Sequence, residues 1–166
     1  MFFSNLENSK SSMPNNYIIL LDHWLGTMTS LYHKKINPRD FSLQNGMDIE
    51  FVLKLFDLAV ESNVLLPKII VTNDEKVPFG TFYNIAEIPD YIEDFENNTE
   101  FKVKEHNLEV WYELIAVPKD EDVPENNFVN NNSKTNADRP TLDVLKKSGA
   151  STTMRKIGMK LRNWEK

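Results

Sequence analysis

Residues 41–72, FSLQNGMDIEFVLKLFDLAVESNVLLPKIIVT, constrain the fold more than any other part of this chain. Asp48 follows Gly46 and Met47 and can accept hydrogen bonds from the first free N–H groups of a helix running to about Asn63. Ile49, Val52, Phe56, Ala59 and Val60 share one face of a 3.6-residue period. Leu53 widens that face, and Phe51, Leu55 and Leu58 thicken the other flank. A helix this apolar must be covered on most sides. Asn63 is placed to close it in a left-handed conformation, and the β-branched run Lys68-Ile69-Ile70-Val71-Thr72 reads as a strand. Upstream, residues 38–46 read as a short helix with Pro38 near its start and Gly46 just past its end.

Around this stretch the pattern is mixed. Residues 1–16 are polar and read as a loose arm, with Phe2, Phe3 and Leu6 available to dock on the core or on a neighbour. Residues 17–35 read as a helix, because Ile18, Leu21, Leu25, Met28 and Tyr32 recur at near-helical spacing. Gly26 costs that helix roughly 1 kcal/mol relative to Ala. Asn73-Asp74-Glu75-Lys76 is a turn signal, and residues 77–83 form the second strand of a hairpin. Residues 85–91 suggest a one-turn helix or bend, and residues 93–98 an acidic turn. Residues 100–104 and 108–115 alternate as half-buried strands do. Trp111 and Ile115 lie on the second face of the last strand, so that face is partly covered, by the chain or by a partner.

Short helix, Gly-containing turn, apolar helix and strand in that order resemble the helix-turn-helix and first wing strand of winged-helix domains. The following strand pair, the IPDYI segment, the acidic turn, the FKV strand and the LEVWYEL strand form a second likeness. They resemble the small sheet after a helix-turn-helix in accessory domains of bacterial multi-gene conflict systems. Members of that group often carry two Cys-x-x-Cys knuckles forming a zinc ribbon. The resemblance covers about residues 37–115, and this chain departs from it. The loops where the knuckles would fall, residues 73–76 and 93–96, contain no thiol, so no zinc carries over. The expected fold is α+β: winged-helix-like helices followed by a small antiparallel sheet, with a flexible C-terminal tail. The expected organisation is a loose arm (1–16), a winged-helix-like domain (17–117), a polar linker (118–140) and a basic amphipathic segment (141–166).

Charge divides the chain in two. The net charge of −6 over 166 residues conceals nine Lys and Arg against three Asp and Glu from residue 134 onward, a balance of +6. Residues 1–133 carry ten basic and 22 acidic residues, a balance of −12. Within the basic part, Met154, Ile157, Leu161 and Trp164 share one helical face, with Arg155, Lys156, Lys160, Arg162 and Lys166 around it. A helix this short is marginal alone and should order on contact. The candidate partner-binding residues are therefore Met154, Arg155, Ile157, Lys160, Leu161, Arg162 and Trp164. The chain has no cysteine, no apolar run near the ~20 residues of a membrane span, and no signal-peptide pattern at its start. A cytoplasmic location is expected.

No enzyme motif is present: there is no phosphate-binding Gly-rich loop, no H-E-x-x-H, no thiol nucleophile and no G-x-S-x-G. His23, His33 and His106 lack metal-ligand spacing, and Asp90, Glu93, Asp94 and Glu96 read as a solvated loop. The expected function is a non-enzymatic protein-interaction or accessory subunit of a larger bacterial assembly, antiphage defence included. It needs no cofactor or metal and is tethered to a protein partner through its basic C-terminal segment. One alternative is a DNA-binding transcriptional regulator of winged-helix type. Against it, the helix that would read bases begins Asp48, Ile49, Glu50, Phe51 and has Lys54 as its only base. Another is an acidic inhibitor or immunity protein. The tail is also open to nucleic acid or a membrane surface, and the chain to homo-oligomerisation.

Overall fold

A computed structural model describes residues 1–7, 13–119 and 141–158. It is an α+β arrangement of helices and small antiparallel sheets, as the pattern of the chain implies.

The helices come first: α1 (Ser4–Glu7), α2 (Asn15–Gly26), α3 (Pro38–Asn45) and α4 (Ile49–Glu61). Local chemistry sets their ends. Asn37 accepts from the Arg39 N–H at 3.0 Å, Pro38 opens α3, and Gly46 closes it at φ 62°. The Asp48 carboxylate accepts from the N–H groups of Glu50 (2.9 Å) and Phe51 (3.2 Å), which starts α4 as expected. Asn63, at φ 54°, turns the chain out of it.

Four strands follow α4 before the sheet is complete: β1 (Leu65–Thr72), β2 (Pro78–Phe82), β3 (Tyr91–Asp94) and β4 (Thr99–Lys102). A fifth, β5 (Leu108–Leu114), closes the order. One sheet runs β2-β1-β5, all antiparallel, with Ile69 opposite Phe82 on one side and Val110 on the other. The free side of β5 takes two isolated bridges, one from Ile36, whose N–H and C=O exchange 2.9 Å bonds with Tyr112, and one from Thr141 opposite Glu109. Strands β3 and β4 form a separate two-stranded hairpin.

The core gathers on α4, which buries Val52, Leu53, Leu55, Phe56, Leu58, Ala59 and Val60. Phe56 stacks edge-on to Tyr112 of β5 (5.1 Å between centroids) and packs on Phe41 of α3 (6.0 Å), which in turn meets Trp24 of α2 (5.1 Å). This chain of rings joins helices to sheet.

Three expectations need correcting. Residues 1–7 are not a loose arm, for Phe2, Phe3 and Leu6 are buried in the core. The buried Asp22 carboxylate takes the backbone N–H groups of Phe2 (2.7 Å) and Phe3 (2.8 Å) and so fixes the segment on α2. The first helix stops at Gly26 rather than near residue 35. The Thr27 hydroxyl donates back to the His23 carbonyl (2.8 Å), and the residues beyond turn, leaving Leu31 85% exposed. Finally, β3 is a strand where a bend and an acidic turn were expected. Of the expected polar linker, residues 120–140 lie outside the described residues; Lys119 donates its N–H to the Phe2 carbonyl at 2.9 Å.

Gly26 has a steric reason to be glycine. A Cβ there would lie 2.2 Å from Cγ of Phe2. Gly26→Ala should therefore lower stability by about 1–3 kcal/mol through overpacking, although Ala is the better helix former. Urea and thermal melts would show it, and an unchanged or raised midpoint would mean that Phe2 does not sit against this residue.

Candidate interaction site

Two regions bear on the expected interaction site: the C-terminal segment, which carries the candidate residues, and the β3–β4 hairpin.

The C-terminal segment forms α5 (Leu142–Ser148) and α6 (Ser151–Lys156). Gly149 (φ 71°) ends the first and turns the chain into the second. Both helices lie on α4. Leu142, Leu145, Ala150, Met154 and Ile157 are buried there, so the apolar side of this segment meets the chain's own body. Met154 and Ile157 thus do not face a partner, as the amphipathic spacing suggested; they complete the core. Arg155 is exposed, and Lys160, Leu161, Arg162 and Trp164 lie outside the described residues. So does the rest of the expected flexible tail beyond Gly158.

Polar groups along this seam fix its register. The buried Asp57 of α4 accepts the N–H groups of Thr152 (Oδ2, 3.0 Å) and Thr153 (Oδ1), capping α6 from 95 residues away. Thr152 Oγ1 donates to Glu61 at 2.6 Å. Lys156 places its ammonium on the Val60 carbonyl (2.8 Å) and Asn63 Oδ1 (3.2 Å), at the end of α4 where a cation is favoured. The hydroxyls of Tyr112 and Thr153 are neighbours deeper in the seam without a well-formed hydrogen bond. Burial pushes the Tyr112 phenol well above its usual range. With the segment in place, α4 exposes only Glu50, Lys54 and Glu61.

The second face of the sheet is partly covered by the chain itself. Lys68, buried on β1, donates to the Lys34 carbonyl and lies 3.8 Å from the Glu113 carboxylate. Burial lowers the Lys68 pKa, and Glu113 opposes that. The Tyr83 hydroxyl donates to Glu113 at 3.0 Å.

The hairpin carries the densest charge. Residues 85–101 contain Glu87, Asp90, Glu93, Asp94, Glu96 and Glu100 and no Lys or Arg. Asp94 builds the turn: its carboxylate accepts from the N–H groups of Glu96 and Asn97 (3.1 Å each) and from the Asn97 amide (2.8 Å). The Asn97 side chain, and after it these backbone donors, hold the Asp94 pKa below the usual carboxylate range. Asn98 takes φ 51°, and Phe95 is left 84% exposed at the tip. At the hairpin's root, Phe101 packs on Phe79 (5.3 Å) beside a polar cleft of about 310 Å3 lined by Asn73, Asp74, Lys102, Lys104 and Asn107 among others. Asp74 accepts from His106 and Asn107 (3.1 Å each), which lowers its pKa and ties the 73–76 turn to the chain before β5.

The remaining histidine contacts are equally local. His33 bonds the Met28 carbonyl (2.9 Å) and His23 stands edge-on to Phe2. Among the described residues no three His, Cys, Asp or Glu side chains are grouped to hold a metal, and no helix is long and apolar enough to cross a membrane. No protein-family model, curated protein or solved structure matches the chain.

Two outcomes follow from this geometry. Asp57→Ala removes the acceptor for two buried N–H groups and should destabilise the protein by about 1.5–3 kcal/mol, with faster tryptic cleavage after Lys146, Lys147 and Lys156. Cleavage at the wild-type rate would refute the capping role. At the hairpin tip, the depressed Asp94 pKa means its contribution is present above the unfolded value and lost as pH falls through the lower folded value. Amide protection of Glu96 and Asn97 should therefore fall below about pH 4, and Asp94→Ala should abolish that dependence in hydrogen-exchange NMR.

Proposed function

We propose that the protein is a non-enzymatic interaction or accessory subunit of a larger cytoplasmic assembly in a bacterium, of the kind that serves conflict systems such as antiphage defence. Its body is winged-helix-like, and the basic residues after Gly158 are its tether to a protein partner.

The observation that carries this reading is where the described part of the tail ends. Ile157 is buried, its carbonyl accepts the Ile85 N–H at 3.0 Å, and Gly158 (φ 79°) lies exposed at the surface. Lys160, Leu161, Arg162 and Trp164 therefore follow within a few residues of a fixed point. A short attachment raises the effective concentration of whatever binds there. Trp and Arg are the side chains that most often dominate such contacts.

The body reading draws support from element order. Helix α2, the single-residue strand at Ile36, the pair α3–α4, and then β1 and β5 follow the succession of a winged helix, with β2 to β4 elaborating the wing. Of the two turns where ribbon knuckles would fall, residues 73–76 border the polar cleft through Asn73, Asp74 and Glu75, and residues 93–96 do not line it. The enclosed α4 disfavours the DNA-binding regulator, while the acidic hairpin favours the inhibitor as the second reading.

The test compares full-length protein with a version ending at Gly158, and with Trp164→Ala, as baits purified from the native cell. All should keep the folded core, because the residues removed lie beyond the buried Ile157, but the stoichiometric partner should be lost from the truncated bait and reduced at least about tenfold by Trp164→Ala. Undiminished partner recovery by both variants would overturn the tether.

A further inference from the structure

The hairpin contains a local conflict. In the β3–β4 register Glu93 stands directly opposite Glu100, and both are exposed. Like charges facing each other across strands destabilise the pairing. On the same face Tyr91, 53% exposed, sits opposite Lys102 at the root, and Glu87, Asp90 and Glu96 flank the arm. Among the described residues none of Glu87, Asp90, Glu93, Glu96 or Glu100 is paired with a cation. Two exposed rings and five uncompensated carboxylates thus share one small arm, and the arm is most stable with positive charge laid along it.

The chain holds such a segment, anchored to the stretch that leads into the arm. Residues 159–166, MKLRNWEK, carry Lys160, Arg162 and Lys166 against a single acid, with Leu161 and Trp164 between them. Their attachment point lies on the stretch that leads into the arm, six residues before β3 begins. Ile157 bonds to Ile85, and a Cβ on Gly158 would lie 2.7 Å from Asn84 Oδ1, seven residues before Tyr91. Eight residues extended span at most about 26–29 Å, roughly twice the length of a four-residue strand.

We propose that the outer face of the β3–β4 hairpin is a docking surface for residues 159–166 of the same molecule. Lys160 and Arg162 neutralise the Glu93–Glu100 pair, and Trp164 lies against the rings of Tyr91 and Phe95. The proposal does not depend on the existence of a partner protein. If one engages the tail, it competes with the hairpin.

Zero-length carbodiimide cross-linking of the full-length protein tests it directly, with equal amounts of 14N- and 15N-labelled protein mixed beforehand. Peptides joining Lys160 or Lys166 to Glu93, Glu96 or Glu100 should appear in the monomer band with both halves carrying the same isotope. They should vanish in the Glu93→Gln/Glu100→Gln variant and weaken in 0.5 M salt, where the Debye length drops to about 4–5 Å. A second readout is amide exchange in β3 and β4, which should quicken about two- to five-fold in Lys160→Glu/Arg162→Glu. Mixed-isotope links would identify a second copy as the occupant, and absent links together with unchanged exchange would leave the face without its tail. Either result overturns the proposal.

Discussion

A carboxylate in the middle of the most apolar helix of a protein has to be satisfied by something, and Asp57 is satisfied by the backbone of α6. Left without those N–H groups, a buried charge of this kind would cost several kcal/mol. Its placement therefore decides which segment covers the last two turns of α4. The apolar side chains of α5 and α6 supply the area, but area alone tolerates sliding. The Asp57 cap, the Thr152–Glu61 bond and the Lys156 contacts at the end of α4 fix a single register. Much of the rest follows, because α4 is also the element on which α3, β1 and α2 pack.

The same arrangement decides which surfaces are left outside. The helix that in a winged-helix body would face outward is enclosed, which leaves the acidic hairpin outside, and the basic residues of the sequence follow Gly158. These two regions are opposite in sign and begin within a few residues of each other through the Ile85–Ile157 bond. At the root of the arm, Phe101 packs on Phe79 of β2.

What could be read beforehand was local chemistry with a single reading. The Asp48 cap, Gly46 past α3, the left-handed Asn63 and the alternation of β5 each carry their signal within a few residues. Strand β3 did not, because Glu93 and Asp94 are poor strand formers and Tyr91-Ile92-Glu93-Asp94 is extended only by pairing with β4. The end of α2 was hidden because Leu31 and Tyr32 kept the helical period after the helix had ended at Gly26; both are exposed. The amphipathic spacing of Met154 and Ile157 was real, yet a periodicity states that one side is apolar, never whose surface will meet it. One clue was available in Asp22 and Asp57, acids set among apolar neighbours on their helices, each of which holds a distant stretch of backbone.

The Asp57 cap joins positions 95 apart in the chain, and that separation has a consequence for biosynthesis. During translation α4 emerges long before residues 141–158, so its last turns stay uncovered while the sheet, the arm and residues 120–140 are still being made. Nascent chains in this condition are open to aggregation. Native closure then waits on a long loop, and the ribosome must release the C-terminal helices before the centre of the molecule becomes dry.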